Sequence, residues 1–413
     1  MIKFHRFSLD NGLKVIFHHD ATTPMAVVNT LYDVGARDED PNHTGFAHLF
    51  EHLMFGGSVN IPNFDAPLQR AGGESNAFTS NDITNYYDVL PKQNIETALW
   101  LESDRMLSLA FSEKSLETQR SVVIEEFKQR YLNQPYGDVW LQLRPLAYKV
   151  HPYQWATIGK EIGHIETASM DQVRAFFNKH YHPSNAILTI AGNFENQQVE
   201  DLVQKWYGKI EGKNKAARIL LKEPKQKEYR SASIRREVPS PAFYYAFKMD
   251  ERKSEGYYMA DLLSDEIGKE KTGLLYLTLK NKKALVHEIS AYILGTLDDG
   301  LFIISGKLMP GKSLTELDET LWDLLETFKT TLISSEDLHR LRMKGKTSKA
   351  FQDQGILNRA MNLSFFELLG DADGMNQEEA IYDAVEPVHL QAYAKKILVK
   401  TNCSRLFVEP ETV

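Results

Sequence analysis

The segment His48-Leu49-Phe50-Glu51-His52 lies inside an apolar run that covers residues 42–57. Apolar residues recur through this run at helical spacing, and the two glycines at its end can stop a helix. On such a helix His48 and His52 stand one turn apart on the same face, where two imidazoles can bind one metal ion. Glu51 falls on nearly the same face, close enough to take a proton from a water molecule that the metal polarises. The segment therefore indicates a metal-dependent hydrolase.

The alternative is a surface helix with two solvated histidines. The segment is otherwise strongly apolar, with Phe46, Leu49, Phe50, Leu53, Met54 and Phe55. Such a helix must be largely buried, and buried histidine and glutamate side chains need partners, which a metal would supply. Asn42 and Thr44 are the residues able to cap its N-terminus.

Length and composition limit the remaining classes of protein. A chain of 413 residues exceeds one ordinary core and predicts about two domains. The net charge of −8, without a basic stretch interleaved with aromatic residues, argues against a nucleic-acid partner. Residues 1–7 contain no apolar leader and nowhere do 18 apolar residues run together, so we expect a soluble, cytoplasmic protein without a membrane partner. Cys403 is the only cysteine, which leaves histidine and carboxylate as metal ligands.

The chain around the histidine segment reads as strands and helices. Residues 3–19 predict two strands around the turn Asp10-Asn11-Gly12, and residues 25–34 predict a third strand. Residues 63–71 resemble a short helix. Residues 74–90 predict two strands, so a hairpin follows the histidine helix directly.

A later helix supplies a candidate third ligand. It is predicted to start at Ser112 and to run toward Pro135, and it carries Glu125 and Glu126. Glu126 shares an apolar stripe with Val122 and Val123, so it is the better candidate to face inward and complete a His-His-Glu site. The alternative is an exposed acidic pair on an ordinary helix.

The sequence predicts that the second half of the chain repeats the structure of the first. A charged segment, residues 213–228, predicts a linker between domains 1–212 and 229–413. At an offset of 217 residues, similar side chains recur in similar helix and strand contexts: Pro24 and Pro241, Val173 and Leu390, Phe176 and Tyr393, Asn185 and Asn402. At the same offset His48, Glu51 and His52 fall near Asp265, Gly268 and Lys269. We therefore expect no metal site in the second domain.

With these residues in hand, the chain resembles the pitrilysin family of zinc peptidases, the inverzincins, which include insulin-degrading enzyme and mitochondrial processing peptidase. The resemblance covers the whole length and is closest in the first 200 residues, including Gly73–Ser80 and Asn85-Tyr86-Tyr87. It aligns Arg120–Glu126 with the stretch that ends in the family's third ligand, which selects Glu126 over Glu125. It implies one Zn²⁺ per chain, held by His48, His52 and Glu126, with Glu51 as the catalytic base.

The resemblance also assigns residues around this centre. It implies that Asn76, Ala77 and Phe78 lie beside the site and hold an extended peptide as an added strand. Gln119 stands where family members often have a glutamate seven positions before the third ligand, so a contact behind the ligands differs here.

The fold implied by the resemblance is α+β. Two structurally repeated domains, each a mainly antiparallel sheet covered by helices, form half of a clamshell that a second chain completes. The family's partner side carries an arginine and a tyrosine seven residues apart, where this chain has Lys280 and His287. Because a lysine cannot reproduce the planar fork of arginine, the sequence predicts the catalytic subunit of a heterodimer with a paralogous chain. Its predicted activity is zinc-dependent endopeptidase action on peptides or unfolded segments. The alternatives are a self-sufficient homodimer and a catalytically silent scaffold subunit.

Overall fold

The computed structural model describes residues 1–215, 217–218, 221–269 and 271–411. Its fold is α+β, as predicted, with two helix-covered sheets. The strands are β1 (His5–Ser8), β2 (Lys14–His19), β3 (Met25–Tyr32), β4 (Glu74–Thr79), β5 (Thr84–Pro91), β6 (Ala186–Gly192), β7 (Arg230–Arg236), β8 (Ala242–Met249), β9 (Val286–Leu294), β10 (Gly300–Leu308) and β11 (Cys403–Pro410). The α-helices are α1 (Phe46–Leu53), α2 (Asp65–Arg70), α3 (Ile95–Leu107), α4 (Glu113–Phe127), α5 (Val139–Ala147), α6 (Ile162–Glu166), α7 (Met170–His180), α8 (Asn196–Tyr207), α9 (Glu255–Ser264), α10 (Leu314–Thr330), α11 (Ser335–Gln352), α12 (Ile356–Leu369), α13 (Gly374–Ala384) and α14 (Pro387–Ile397).

The chain forms two compact units, each with its own sheet. Unit 1 comprises Met1–Phe127, Trp155–Leu220 and Lys349–Glu378, and unit 2 comprises Lys128–Gln154, Leu221–Ser348 and Glu379–Val413. The sheet of unit 1 has the order β1-β2-β6-β3-β5-β4, and that of unit 2 has the order β7-β11-β8-β10-β9. Neighbouring strands are antiparallel except for the pairs β2–β6 and β7–β11. The predicted hairpin of β4 and β5 is present, with β4 at the edge of its sheet.

The two sheets repeat one another in sequence as well as in order. Strand β3 begins at residue 25 and β8 at residue 242, which are 217 positions apart. Helices α7 and α14, which begin at residues 170 and 387, keep the same spacing and the same length. The polar contacts repeat too: Asn185 donates to the carbonyl of His180, and Asn402 donates to that of Ile397. The predicted structural repeat is therefore confirmed.

Two helices each pack on the sheet that is formed mainly by the other half of the sequence, and we call them exchanged helices. Helices α5 and α12 begin at residues 139 and 356, again 217 positions apart. Helix α5 packs on β7, β8 and β11 of unit 2, whereas α12 packs on β2, β3 and β6 of unit 1. The units are therefore discontinuous in sequence and differ from the expected ranges 1–212 and 229–413. Residues 216, 219 and 220 of the expected linker lie outside the described residues.

Apolar side chains explain where each exchanged helix packs. Leu363 and Phe366 of α12 join a buried cluster with Ile16 and Leu31 of the first sheet. Leu143 and Val139 of α5 join a buried cluster with strands of the second sheet. In unit 1 a polar contact adds specificity, because the Asn29 side-chain amide donates to Ser364 Oγ over 2.9 Å at a fully buried position.

None of the described helices is both long enough and apolar enough to cross a bilayer.

Candidate active site

Helix α1 presents an apolar face to unit 1 and a polar face to the candidate site. Its residues Phe46, Leu49, Phe50 and Leu53 are buried. The ring of Phe50 stacks on those of Phe176 and Tyr181, each with 5.2 Å between ring centroids. These contacts fix α1 against α7, so the rotation of the helix, and with it the direction of its polar side chains, is set by packing.

The N-terminus of α1 is capped by a distant carboxylate, and Asn42 and Thr44 do not cap it. The N-cap residue is Gly45 at φ 90°, a left-handed conformation that suits glycine, and an added Cβ would meet the Ile158 carbonyl oxygen at 2.7 Å. Instead, the backbone N–H groups of Gly45 and Ala47 donate to the carboxylate of Glu39, each over 2.9 Å. The Trp155 indole N–H donates to the same carboxylate over 3.1 Å. Burial raises the pKa of Glu39 to about 8, while these three donors act in the opposite direction.

His48, His52 and Glu126 come together between α1 and α4. Nε2 of His48 lies 3.7 Å from Oε2 of Glu126, and Nε2 of His52 lies 3.4 Å from the same oxygen. One donor atom from each residue lies within 4.8 Å of the others, and no other such trio of His, Cys, Asp or Glu exists in the part of the chain that the structure describes. Two ligands about 2.0–2.2 Å from a tetrahedral zinc ion stand roughly 3.3–3.6 Å apart. The two nitrogen donors and one oxygen donor therefore fit Zn²⁺ in type, and the two nitrogen–oxygen distances are close to this spacing.

The two neighbouring glutamates of α4 have different surroundings. Glu126 is half-buried and faces the histidines, whereas Glu125 is exposed. The predicted stripe is correct in part, since Val123 is fully buried but Val122 is 45% exposed. Gln119 lies two turns before Glu126 on α4 and is half-buried.

Glu51 lies on α1 between His48 and His52 in the sequence and is half-buried. The hydroxyl of Thr79, the last residue of β4, donates to Oε2 of Glu51 over 2.7 Å. Sequence reasoning missed Thr79 and the capping Glu39. Strand alternation could have found Thr79, because it lies on the same face of β4 as Ala77. No local pattern marks Glu39, which lies six residues before the helix N-cap.

Asn76, Ala77 and Phe78 lie in the middle of β4. This strand pairs with β5 on one side and is the last strand of its sheet, so its other edge has no strand partner among the described residues. Asn76 and Phe78 are exposed, and Ala77 is half-buried. An edge of this kind can accept an extended peptide as a further strand.

The remaining predicted positions lie in unit 2. Lys280 is half-buried in a π-helical stretch, Tyr276–Lys282, with its Nζ 5.1 Å from the ring centroid of Tyr276. His287 is exposed on β9. At the position equivalent to His48, Asp265 forms an ion pair with Lys344 over 3.7 Å.

Comparison with known sequences finds two matches to one family of peptidases. Residues 14–157 match the family described as insulinase (peptidase family M16), and residues 167–344 match the peptidase M16 inactive domain. The chain belongs to peptidase family M16. This confirms the resemblance to the pitrilysin type of peptidase, in its half-length form.

Relatives of this M16 chain are named zinc proteases. It is 27% identical over 414 residues to zinc protease PqqE of Helicobacter pylori, an alignment that covers 99% of this chain and 93% of that protein. It is 23% identical over 247 residues to the mitochondrial-processing peptidase subunit beta of Caenorhabditis elegans, covering 59% of this chain and 52% of that protein. The crystal structure of a protease from Helicobacter pylori superposes with a TM-score of 0.94 at 27% identity, covering 99% of this chain and 100% of that chain.

Proposed function

We propose that this chain is a zinc endopeptidase and the catalytic subunit of a two-chain enzyme. The observation that carries the proposal is the trio of His48, His52 and Glu126 with the carboxylate of Glu51 beside it. Unit 1 would be the peptidase domain. Unit 2 would be a structurally similar domain without a metal site. The name of the relative zinc protease PqqE supports zinc as the metal, and the single trio among the described residues supports one ion per chain.

The proposed reaction is hydrolysis of a peptide bond. His48, His52 and Glu126 would hold Zn²⁺, which when bound acts as a Lewis acid on water and on the scissile carbonyl. Glu51 takes a proton from the attacking water and gives it to the leaving amine, so one residue acts first as general base and then as general acid. A scaffold subunit would not need Glu51 and the three donors in this arrangement.

The proposed substrate lies along the free edge of β4. An extended peptide there would lie along Asn76, Ala77 and Phe78 and bond to those of their backbone groups that point to the free edge, and such bonds tolerate many sequences. The exposed ring of Phe78, at 40% exposure, offers an apolar contact to one substrate side chain. The substrates would be peptides or unfolded segments, because most backbone N–H and C=O groups of a folded chain are already paired within its own helices and sheets.

The proposed partner is a paralogous chain that brings an arginine and a tyrosine seven residues apart. Lys280 and His287 occupy those positions here, and neither reproduces the hydrogen-bond donors of that pair. The word "subunit" in the name of the mitochondrial relative supports a two-chain enzyme.

A cytoplasmic location is supported only by the single, buried and unpaired Cys403.

The decisive experiment compares wild type with Glu51→Gln, using a fluorogenic peptide library and metal analysis. Glu51→Gln should keep about one zinc per chain and lose hydrolysis by roughly 10² or more, because the amide cannot accept the proton. Glu125→Gln is the matched control at an exposed glutamate and should resemble wild type. Loss of zinc from Glu51→Gln would make Glu51 a ligand and refute the assignment.

The same assay tests the partner. The isolated chain should be a poor peptidase with zinc bound, since a missing oxyanion donor costs about 10²–10³ in rate. Addition of a paralogous chain carrying the arginine and tyrosine should restore hydrolysis without changing zinc content. Full activity of the isolated chain would favour the homodimer.

A further inference from the structure

The contact between Thr79 and Glu51 joins the substrate strand to the catalytic base. The Thr79 hydroxyl donates to Oε2 of Glu51, so one of the two carboxylate oxygens is held. We propose that Thr79 is a positioning residue, which fixes the carboxylate of Glu51 so that its other oxygen receives the proton of the attacking water. This role rests on the function proposed above and assigns a further residue to it.

The backbone at Thr79 is held firmly from both neighbouring segments. In the sheet Thr79 pairs with Thr84, whose buried hydroxyl donates to the carbonyl of Val34 over 2.9 Å. In the following turn the hydroxyl of Ser80 accepts hydrogen bonds from the backbone N–H groups of Asp82 and Ile83, over 3.1 and 3.0 Å. A donor at the end of a strand fixed in this way has a well-defined position.

Glu51, by contrast, has a flexible side chain on a half-exposed helix face. Ordering a glutamate costs conformational entropy, which a fixed donor can offset before substrate binds. Because Thr79 and Ala77 lie on one face of the same strand, the residue that orients the base belongs to the strand that would bind the peptide. The alignment of the base therefore depends on the position of β4.

The test uses Thr79→Val, which keeps the shape of threonine and removes the hydroxyl, in the assembly that the peptidase assay shows to be active. We expect kcat to fall about tenfold, a part of the roughly 10²–10⁴ that a positioned base contributes, with KM and zinc content unchanged. Thr79→Ser restores a donor and should recover most of the rate. Thr327→Val, at an exposed threonine of α10, is the matched control and should leave kcat unchanged.

Two further measurements separate positioning from simple structural support. In a Glu51→Gln background, Thr79→Val should cause no additional loss of rate, because its effect passes through the base. In the zinc-free protein, Thr79→Val should lower the urea midpoint when Glu51 is present, and much less when Glu51 is alanine. This second measurement does not depend on activity.

The outcomes distinguish this proposal from the one on which it rests. An active wild type with an equally active Thr79→Val, a loss that persists beside Glu51→Gln, or a loss of zinc from Thr79→Val would overturn the role of Thr79 alone. A wild type without zinc-dependent hydrolysis would overturn the proposed function and this role with it.

Discussion

Glu125 and Glu126 are neighbours in sequence, yet only Glu126 reaches the two histidines. Successive residues of a helix point about 100° apart, so one of the pair faces α1 and the other faces solvent. The apolar stripe indicated the glutamate that the structure brings to the histidines, although Val122 is exposed, and the family resemblance selected the same glutamate.

We predict that Glu126→Ala abolishes zinc binding and Glu125→Ala does not. Two histidines alone hold zinc far more weakly than three ligands do, so the zinc content of Glu126→Ala should fall from about one to below roughly 0.2 per chain after dialysis against a chelator. Atomic emission on matched preparations measures it. Equal zinc in the two variants would exclude Glu126 as a ligand.

Helix α1 depends on a cap that lies outside it. With Glu39 removed, the backbone N–H groups of Gly45 and Ala47 would be buried without their acceptor, whereas the indole N–H of Trp155 would keep its 2.9 Å hydrogen bond to the carbonyl of Ala36.

We predict that Glu39→Ala lowers the free energy of unfolding of the zinc-free protein by about 1–2 kcal/mol. Glu39→Gln keeps one good acceptor and should fall between alanine and wild type. Urea unfolding, followed by tryptophan fluorescence, gives the comparison. An alanine variant as stable as wild type would mean that water replaces the carboxylate without loss.

Helix α12 is held on its sheet by an ion pair as well as by apolar contacts. The guanidinium of Arg359 on α12 donates to the carboxylate of Asp20, which also accepts from the backbone and hydroxyl of Thr22. Burial alone would raise the pKa of Asp20, but these donors outweigh it and lower the pKa to about 2.

A lowered pKa stabilises the folded protein above the ordinary aspartate value, and this contribution is lost as the pH falls through about 2. Asp20→Asn should therefore be less stable than wild type by about 2 kcal/mol at pH 6, with a difference that shrinks steadily below pH 4. Urea unfolding at pH 6, 4 and 3 measures this trend. Asp10→Asn, in the exposed turn after β1, is the control and should differ little from wild type at any pH. A difference independent of pH would show that Asp20 contributes without its charge.

Because α5 and α12 each pack on the sheet of the other half, neither half of the sequence contains a complete unit. Residues 1–212 alone would leave the face of β2, β3 and β6 uncovered where α12 packs, and a bare apolar face favours aggregation.

We predict that fragments 1–212 and 213–413, expressed separately, aggregate or unfold without cooperativity, and that together they form a stable complex. Co-purification and urea unfolding test this, with the intact chain as the reference. A monomeric fragment 1–212 that unfolds cooperatively would show that α12 is dispensable.

The sequence predicted the structural repeat, but it did not predict which parts of the chain form each unit. The offset of 217 residues relates β3 to β8 and α7 to α14 because homologous positions keep their side-chain types. It could not predict the exchange, since an apolar stripe shows which face of a helix is buried and not which sheet buries it. The cap by Glu39 could not be predicted either. Whether a side chain six residues before a helix N-cap reaches that helix depends on the path of the loop between them.

The constant spacing of exchanged helices also bears on the ancestry of the chain. A tandem duplication of a gene for about 200 residues would give two halves in register, each with its own copy of every element. Before such a fusion, the helix ancestral to α5 and α12 would have covered the sheet of another molecule, so the ancestor would have been an obligate pair with intertwined segments. In the present chain the first half has His48, whereas at the equivalent position of the second half Asp265 forms an ion pair with Lys344.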